Sequence, residues 1–254
     1  MLESLSLLHL VLLLLAGVIA GFVNTLAGGG SFLTLPALMM LGMPADVANG
    51  SNRVGVLIQS LAGAKGFDKH GKLDRSAVVS ILVPTLGGAL LGSLVASYLP
   101  TGILKPVLLI TMVLMALVMV FKPSVVAPPP GTVPKTLSES RSGYAWLFVA
   151  GLYGGFIQAG VGFILLVAFA GALRYDLMQS NALKMVCTSL FSMVALAVFV
   201  ARGQVLWIPG LVLGVAQVVG VQLSIRFVLT VPQSVLRWLL LIIVIAVCIA
   251  AWFS

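Results

Sequence analysis

Acidic residues are scarce in this chain. Six Asp and Glu stand against fourteen Lys and Arg in 254 residues. Glu3, Asp46, Asp68, Asp74, Glu139 and Asp176 all fall at the ends of apolar runs or between them, as do His9 and His70. Proton coupling in membranes normally uses an intramembrane acid or histidine. Their absence from the runs argues against proton coupling, with Asp46 and Asp176, in similar turns, the nearest candidates for ion coupling. Charge of any sign is rare at 8%, while 61% of residues are hydrophobic and the mean hydropathy is +1.20. That balance excludes a soluble globular domain and describes a polytopic membrane protein. Cysteine is nearly absent. Cys187 and Cys248 lie far apart inside apolar runs, which excludes a disulfide framework and the spacing of a metal site. No cofactor is expected. No basic segment precedes the apolar run Leu5–Val23, so it reads as mature sequence rather than a signal peptide. The net charge of +8 would point to nucleic acid in a soluble protein, but here Lys and Arg sit mostly at segment ends, where they orient the chain and meet lipid headgroups, so no nucleic-acid partner is expected.

What is present begins with Gly21-Phe-Val-Asn-Thr-Leu-Ala-Gly-Gly-Gly-Ser-Phe-Leu-Thr-Leu-Pro36. Three consecutive glycines, Gly28, Gly29 and Gly30, should end a helix inside an apolar run. Broken backbone at membrane depth survives only where protein or a water-filled cavity satisfies it. A new helix starting there aims backbone N–H groups and partial positive charge into that cavity, which suits an anion.

A second copy supports this reading. Gly155-Phe-Ile-Gln-Ala-Gly-Val-Gly162 repeats the stretch two residues shorter, with Val161 in place of the middle glycine. Beyond the gap the register holds: Asn49 falls on Asn181, Ser60 on Ser192, Pro100 on Pro232, Leu104 on Leu236 and Lys105 on Arg237. Duplication around a glycine-broken apolar segment points to a transporter's site.

The expected fold class is an all-α polytopic membrane protein with about eight apolar segments in two homologous halves. Residues 1–121 form the first transmembrane repeat, 122–143 a cytoplasmic linker, and 144–254 the second repeat. Leu5–Leu26 is long enough to cross about 30 Å of hydrocarbon, whereas Ser31–Leu41 reaches about halfway and reads as a re-entrant half-helix or short tilted span. Val47–Phe67, Ala77–Leu99 and Ile103–Phe121 follow as spans. The linker, with Pro128, Pro129, Pro130, Gly131 and Pro134, should be extended and flexible. In the second half, Tyr144–Leu173 is broken at Gln158–Gly162, and Ser180–Ala201, Leu206–Arg226 and Val235–Phe253 are spans. Glycine pairs at four-residue spacing (Gly17/Gly21, Gly88/Gly92, Gly151/Gly155, Gly210/Gly214) should permit close helix packing. If each broken segment doubles back, the halves are inverted, and Lys65–Arg75, the linker, Arg174 and Arg226 share one side, leaving Arg202 and Lys105 opposite. If it crosses, the halves are parallel and Arg174 and Arg226 move outside. The charge distribution favours inversion.

At Gly28-Gly-Gly-Ser-Phe-Leu-Thr-Leu-Pro36, followed by Ala48-Asn-Gly-Ser-Asn-Arg53, the chain resembles the TauE/SafE sulfite-exporter family, also called the toluene-sulfonate uptake permease family. The copy Gly155–Gly162 with Ser180 and Asn181 fits that family's duplicated plan, and the resemblance covers essentially the whole chain. It implies a multi-pass carrier in the bacterial inner membrane for sulfite, sulfonates or related small sulfur-containing anions. The implied partners are that anion and membrane lipids, and a homo-oligomer is compatible with the sequence.

Arg53 and Lys184 lie at adjacent positions of the repeat, each inside an apolar segment, and an intramembrane cation is a functional-site hypothesis by default. Arg53 offers a planar fork to oxyanion oxygens and Lys184 a point charge. The competing reading is that both snorkel to the interface. Asn24 and Gln158, aligned amides before the breaks, either donate to the anion or satisfy freed backbone. Thr25 and Ser31 are similar, Ser31 being placed to N-cap the half-helix. Asn49 and Asn181 should brace the loops from the next helix. The remaining candidates are Gly160, Gly162, Ser51 and Asn52, with Thr188 behind them, while Gln217 and Gln222 should join helices by hydrogen bonds. Two other classes compete with transport: a non-transporting assembly or sensor protein, and an intramembrane hydrolase with Ser31 as nucleophile, which would need a base within reach.

Overall fold

A computed structural model describes residues 7–121 and 132–227. All regular structure among them is helical. The elements are α1 (Leu7–Ala27), α2 (Ser31–Met40), α3 (Ala45–Lys69), α4 (Arg75–Tyr98), α5 (Thr101–Phe121), α6 (Arg141–Phe156), α7 (Val161–Leu166), α8 (Leu177–Ala201) and α9 (Trp207–Phe227). A short 3₁₀ turn, Leu137–Glu139, precedes α6, and α7 runs on as a π-helical stretch, Val167–Ala172. The expected span Val235–Phe253, Cys248 and the proline run of the linker lie outside the described residues.

Both expected breaks are present, and at each the chain doubles back. A Cβ at Gly30 would lie 2.4 Å from the Ala20 carbonyl oxygen, and Leu33, Ala37 and Leu41 line one cavity with Leu12, Leu13 and Ala16. So α2 returns along α1, ending beside Leu12 and Leu13 in the first half of that helix. In the second hairpin, a Cβ at Gly143, near the start of α6, would lie 2.8 Å from Leu173, and the Lys135 amide donates to the Leu173 carbonyl at 2.8 Å. With ten residues, α2 spans about 15 Å and serves as a half-helix rather than a crossing.

Each hairpin packs against the other half of the chain. Helix α1 lies along α9, and α6 lies along α4, while α3 and α8 run antiparallel beside each other at the centre. Small residues permit these approaches, as the glycine spacing predicts. A Cβ at Gly21 would come within 2.1 Å of the Gln217 carbonyl oxygen, and one at Gly155 within 2.2 Å of that of Ala89. Helix α5 covers the first hairpin, with Leu104, Leu108 and Met112 in one core with Phe32, Leu35 and Leu38 of α2. Helices α4, α5, α8 and α9 are each long and apolar enough to cross a membrane. Their outward faces carry Val79, Val83, Ile110 and Val215, all exposed. Helix α3 has 25 residues, yet its first half is a polar strip (Asn49, Ser51, Asn52, Arg53), and it is buried at the centre instead.

The doubling back fixes which ends lie together. Lys65, Lys69, Lys72 and Arg75 of the α3–α4 turn share one end of the bundle with Lys135, Arg141 and Arg174, an association anchored by Tyr175 donating to Asp74 at 2.9 Å. The opposite end holds Asp46, which accepts from Thr101 (3.1 Å) and Gln204 (3.2 Å), and Arg202, whose guanidinium stacks 4.2 Å over the Tyr98 ring. This is the inverted arrangement of the two halves.

Helix boundaries moved where capping decided them. Helix α4 starts at Arg75 because the Asp74 carboxylate accepts from the Ser76 and Ala77 amides. Helix α6 starts at Arg141, inside the expected linker, because Ser140 accepts from the Gly143 amide. The described part of that linker is anchored rather than free: Thr136 and Glu139 form a capping box, and Lys135 is tied to Leu173.

Candidate functional site

The two breaks meet. Gly28, at φ +76°, packs its backbone on that of Gly162, so a Cβ at Gly28 would lie 2.3 Å from the Gly162 Cα. Only main chain fits between the hairpin tips. Gly29 and Gly30 complete the first tip, where the Gly29 carbonyl accepts from Phe32 and that of Gly30 from Leu33. The second tip turns through Gln158 (φ +71°) and Gly160 (φ +80°) and is braced by Tyr153, whose hydroxyl donates to the Ala159 carbonyl at 2.6 Å.

Each broken helix ends at a cation from the other half. The Arg53 guanidinium donates to the carbonyls of Gly154, Gly155 (2.9 Å) and Phe156 (3.3 Å), the last turn of α6. Asn49 completes that cap, donating to the Phe156 carbonyl at 2.9 Å while its oxygen accepts from Arg53 at 3.1 Å. At the end of α1, the Lys184 ammonium donates to the carbonyls of Asn24 and Thr25, both at 3.0 Å, and to Asn181 Oδ1 at 2.6 Å. A helix C-terminus carries partial negative charge and unpaired carbonyls, so a cation there is stabilised. Both cations are fully enclosed, Arg53 at 0% and Lys184 at 1% exposure, so neither snorkels to an interface. An ammonium has three donors, and all three of Lys184 have acceptors.

A second polar cluster stands beside the start of α2. Asn52 donates to the Ser31 hydroxyl at 3.2 Å and accepts from Thr34 at 2.6 Å. The N-cap of α2 is Gly30 rather than Ser31, with no side-chain cap, because the chain enters the helix already in helical geometry at Gly30. The Ser31 hydroxyl therefore faces an amide, which is no general base. Gln158 donates to Ser192 at 3.0 Å, leaving its own oxygen unpartnered in the described structure.

Other candidates lie elsewhere or serve locally. Ser51 accepts from the Leu206 amide at 2.8 Å, pinning α3 to the start of α9 away from the tips. Thr25 bonds its own helix at the Gly21 carbonyl, and Asn181 also donates to Leu177. Asp176 N-caps α8 through the Gln179 amide. Gln217 does not join helices by hydrogen bonds as expected, since neither atom of its amide has a partner in the described structure. Sequence reasoning missed Thr34, Tyr153 and Phe199, whose ring lies 5.6 Å from the Arg53 guanidinium. Ser192 carried a signal in its register with Ser60, but its partner Gln158 was not legible.

The family comparison agrees with this architecture over nearly the whole chain. Residues 13–251 match the family model described as Sulfite exporter TauE/SafE. The chain belongs to the TauE/SafE sulfite exporter family. It is similar to a probable membrane transporter protein, ORF9, of a Sinorhizobium species, 27% identical over 242 residues that cover 94% of this chain and 91% of the relative. It is also similar to a probable membrane transporter protein of Haemophilus influenzae (27% over 230 residues, 90% of this chain and 88% of the relative). A third, the probable membrane transporter protein YfcA of Escherichia coli K12, is 26% identical over 255 residues, 95% of this chain and 91% of the relative. The TauE/SafE member described here is thus a multi-pass membrane transporter and not an enzyme.

Proposed function

We propose that this protein is a secondary transporter or facilitator that moves a small sulfur-containing oxyanion, such as sulfite or a sulfonate, across the bacterial inner membrane by alternating access. The observation that carries the reading is the backbone contact of Gly28 with Gly162, which brings the two broken helices tip to tip inside the bundle. The family name supports the substrate class, and the bacterial sources of the relatives support the membrane.

The halves are inverted copies of one ancestral unit, and the end bearing Lys65, Lys69, Lys72 and Arg75 faces the cytoplasm by the positive-inside rule. The anion is held at the tips by the start of α2 and by Asn24, Thr25, Gly28, Gly29, Gly30 and Ser31, with Asn52 behind them and Gln158, Gly160 and Gly162 opposite. Asn49 with Arg53 and Asn181 with Lys184 neutralise the carbonyl ends of α6 and α1. Those ends would otherwise repel an anion, so the local field is left to the helix N-termini. Because each cation belongs to one half and its carbonyls to the other, rocking of the halves must loosen these contacts and offer their donors to the substrate.

Flux into proteoliposomes across sulfite, sulfate, thiosulfate, sulfoacetate, taurine and chloride, with and without an imposed proton gradient, tests this. Saturable flux of sulfite or a sulfonate that is abolished in Arg53→Ala is the expected result. Full flux of every transported anion in Arg53→Ala would remove the assigned role.

A further inference from the structure

Gln59 and Gln217 are fully buried, and neither the nitrogen nor the oxygen of either side-chain amide has a hydrogen-bond partner in the described structure. Ser224, two turns beyond Gln217 on α9, is also buried with an unpartnered hydroxyl. These residues share one seam. Gly55, Gln59, Ala62 and Gly66 recur at helical spacing on α3, and that stripe faces α9. A Cβ at Gly55 would lie 2.8 Å from Gln217 Oε1, and one at Gly66 would lie 2.6 Å from Ile225 Cδ1. Unmatched amides are expensive inside a helix bundle, so two of them on one interface mark a place that something polar visits.

The seam opens at the basic end. There a cleft of about 570 Å³ is lined by Ala62, Lys65, Gly66, Lys69, His70 and Gln222. Ala62 and Gly66 belong to both cleft and stripe, and Gln59 stands one turn deeper on the same face of α3. We infer that this seam is the anion's route between the hairpin tips and the basic end, with the Gln59 and Gln217 amides forming an uncharged oxyanion subsite along it. The inference rests on the anion-transport reading above. Each amide presents two N–H donors to oxyanion oxygens. Lacking charge, the pair holds an anion weakly enough to release it, as conduction requires. Lys65 and Lys69 raise the anion concentration at the mouth.

The test uses sulfite flux in proteoliposomes with the double variant Gln59→Leu/Gln217→Leu, with Gln59→Glu, and with the mouth variant Lys65→Gln/Lys69→Gln. Melting in detergent is measured for each. The double leucine variant should lose about tenfold or more in flux, the size expected for a lost hydrogen bond to a charged group, while melting at the same or a higher temperature because unmatched polar atoms are gone. Gln59→Glu should block flux with the fold retained. The mouth variant should slow flux at low salt and match wild type at high salt. Wild-type flux in the double leucine variant means that water alone bridges the amides and overturns the subsite, as does flux lost together with a lower melting temperature. Wild-type vesicles that carry none of the panel anions would overturn the transport reading itself, and the subsite with it.

Discussion

The Lys184 ammonium, on a helix of the second half, sits 3.0 Å from the Thr25 carbonyl at the end of the first half's broken helix. Arg53 makes the reciprocal contact with Gly155, at 2.9 Å. The two halves therefore hold each other's interrupted helices.

Lys184→Met keeps most of the length and removes every side-chain donor. The carbonyls of Asn24 and Thr25 and the oxygen of Asn181 would be left buried without their partner, at about 1–3 kcal/mol each. The expected outcome is a markedly lower melting temperature in detergent together with lost flux. Lys184→Arg should recover part of both. A Met variant that melts like wild type would show that the contact contributes nothing to the fold.

Gly28→Ala and Gly162→Ala each drive a methyl into backbone, and at Gly28 the left-handed φ of +76° adds strain. Overpacking of this kind costs about 1–3 kcal/mol. Because no flexible side chain is there to yield, the tips must separate. Flux should be lost in either variant, whereas Gly87→Ala, on α4 with open space around its Cβ position and no left-handed φ, should transport normally.

Asp74 caps α4 and accepts from Tyr175, and these contacts, Ser76 first, hold its carboxyl below the usual carboxylate range. Its stabilising contribution is therefore complete above the ordinary Asp pKa of about 4 and is lost as pH falls through the lowered value. Asp74→Ala should cost about 1 kcal/mol for the cap, and thermal melts at pH 7 and at pH 3 should differ less in this variant than in wild type. Burial, with the Asp74 bond added, pushes the Tyr175 phenol up, so it stays a neutral donor across this range.

Single cysteines at Lys72 and Gly203, in a background lacking Cys187 and Cys248, report sidedness. An impermeant thiol reagent should label position 72 only from the cytoplasm and position 203 only from outside. Labelling of both from one side would refute the inverted arrangement.

Much of the fold was legible because bilayer physics leaves few choices. Apolar length gave the spans, glycine clusters gave the breaks, and the distribution of Lys and Arg favoured inversion before any geometry was known. The site was legible by residue type and less so by role. Arg53 and Lys184 announced themselves as charges within apolar segments, but that each serves a carbonyl end in the opposite half depends on how α1 lies on α9 and α6 on α4. Glycine spacing marked these helices for close packing but not which helix each would meet. The partners Thr34, Tyr153 and Ser192 are ordinary helix residues until a neighbouring helix is set beside them. Gln217 was misjudged because an amide in a membrane helix is usually matched, and spacing cannot reveal an unmatched one.

The π-helical stretch Val167–Ala172 has no counterpart in α2, which is α-helical to Met40. In an alternating-access carrier, two identical inverted halves would make the inward-open and outward-open forms equivalent through a two-fold axis in the membrane plane, and equal in energy. A wider turn in only one returning arm removes that degeneracy. The resting population then leans toward one side of the membrane even without substrate, so the two faces differ in apparent affinity while the gradient still sets the direction of net movement.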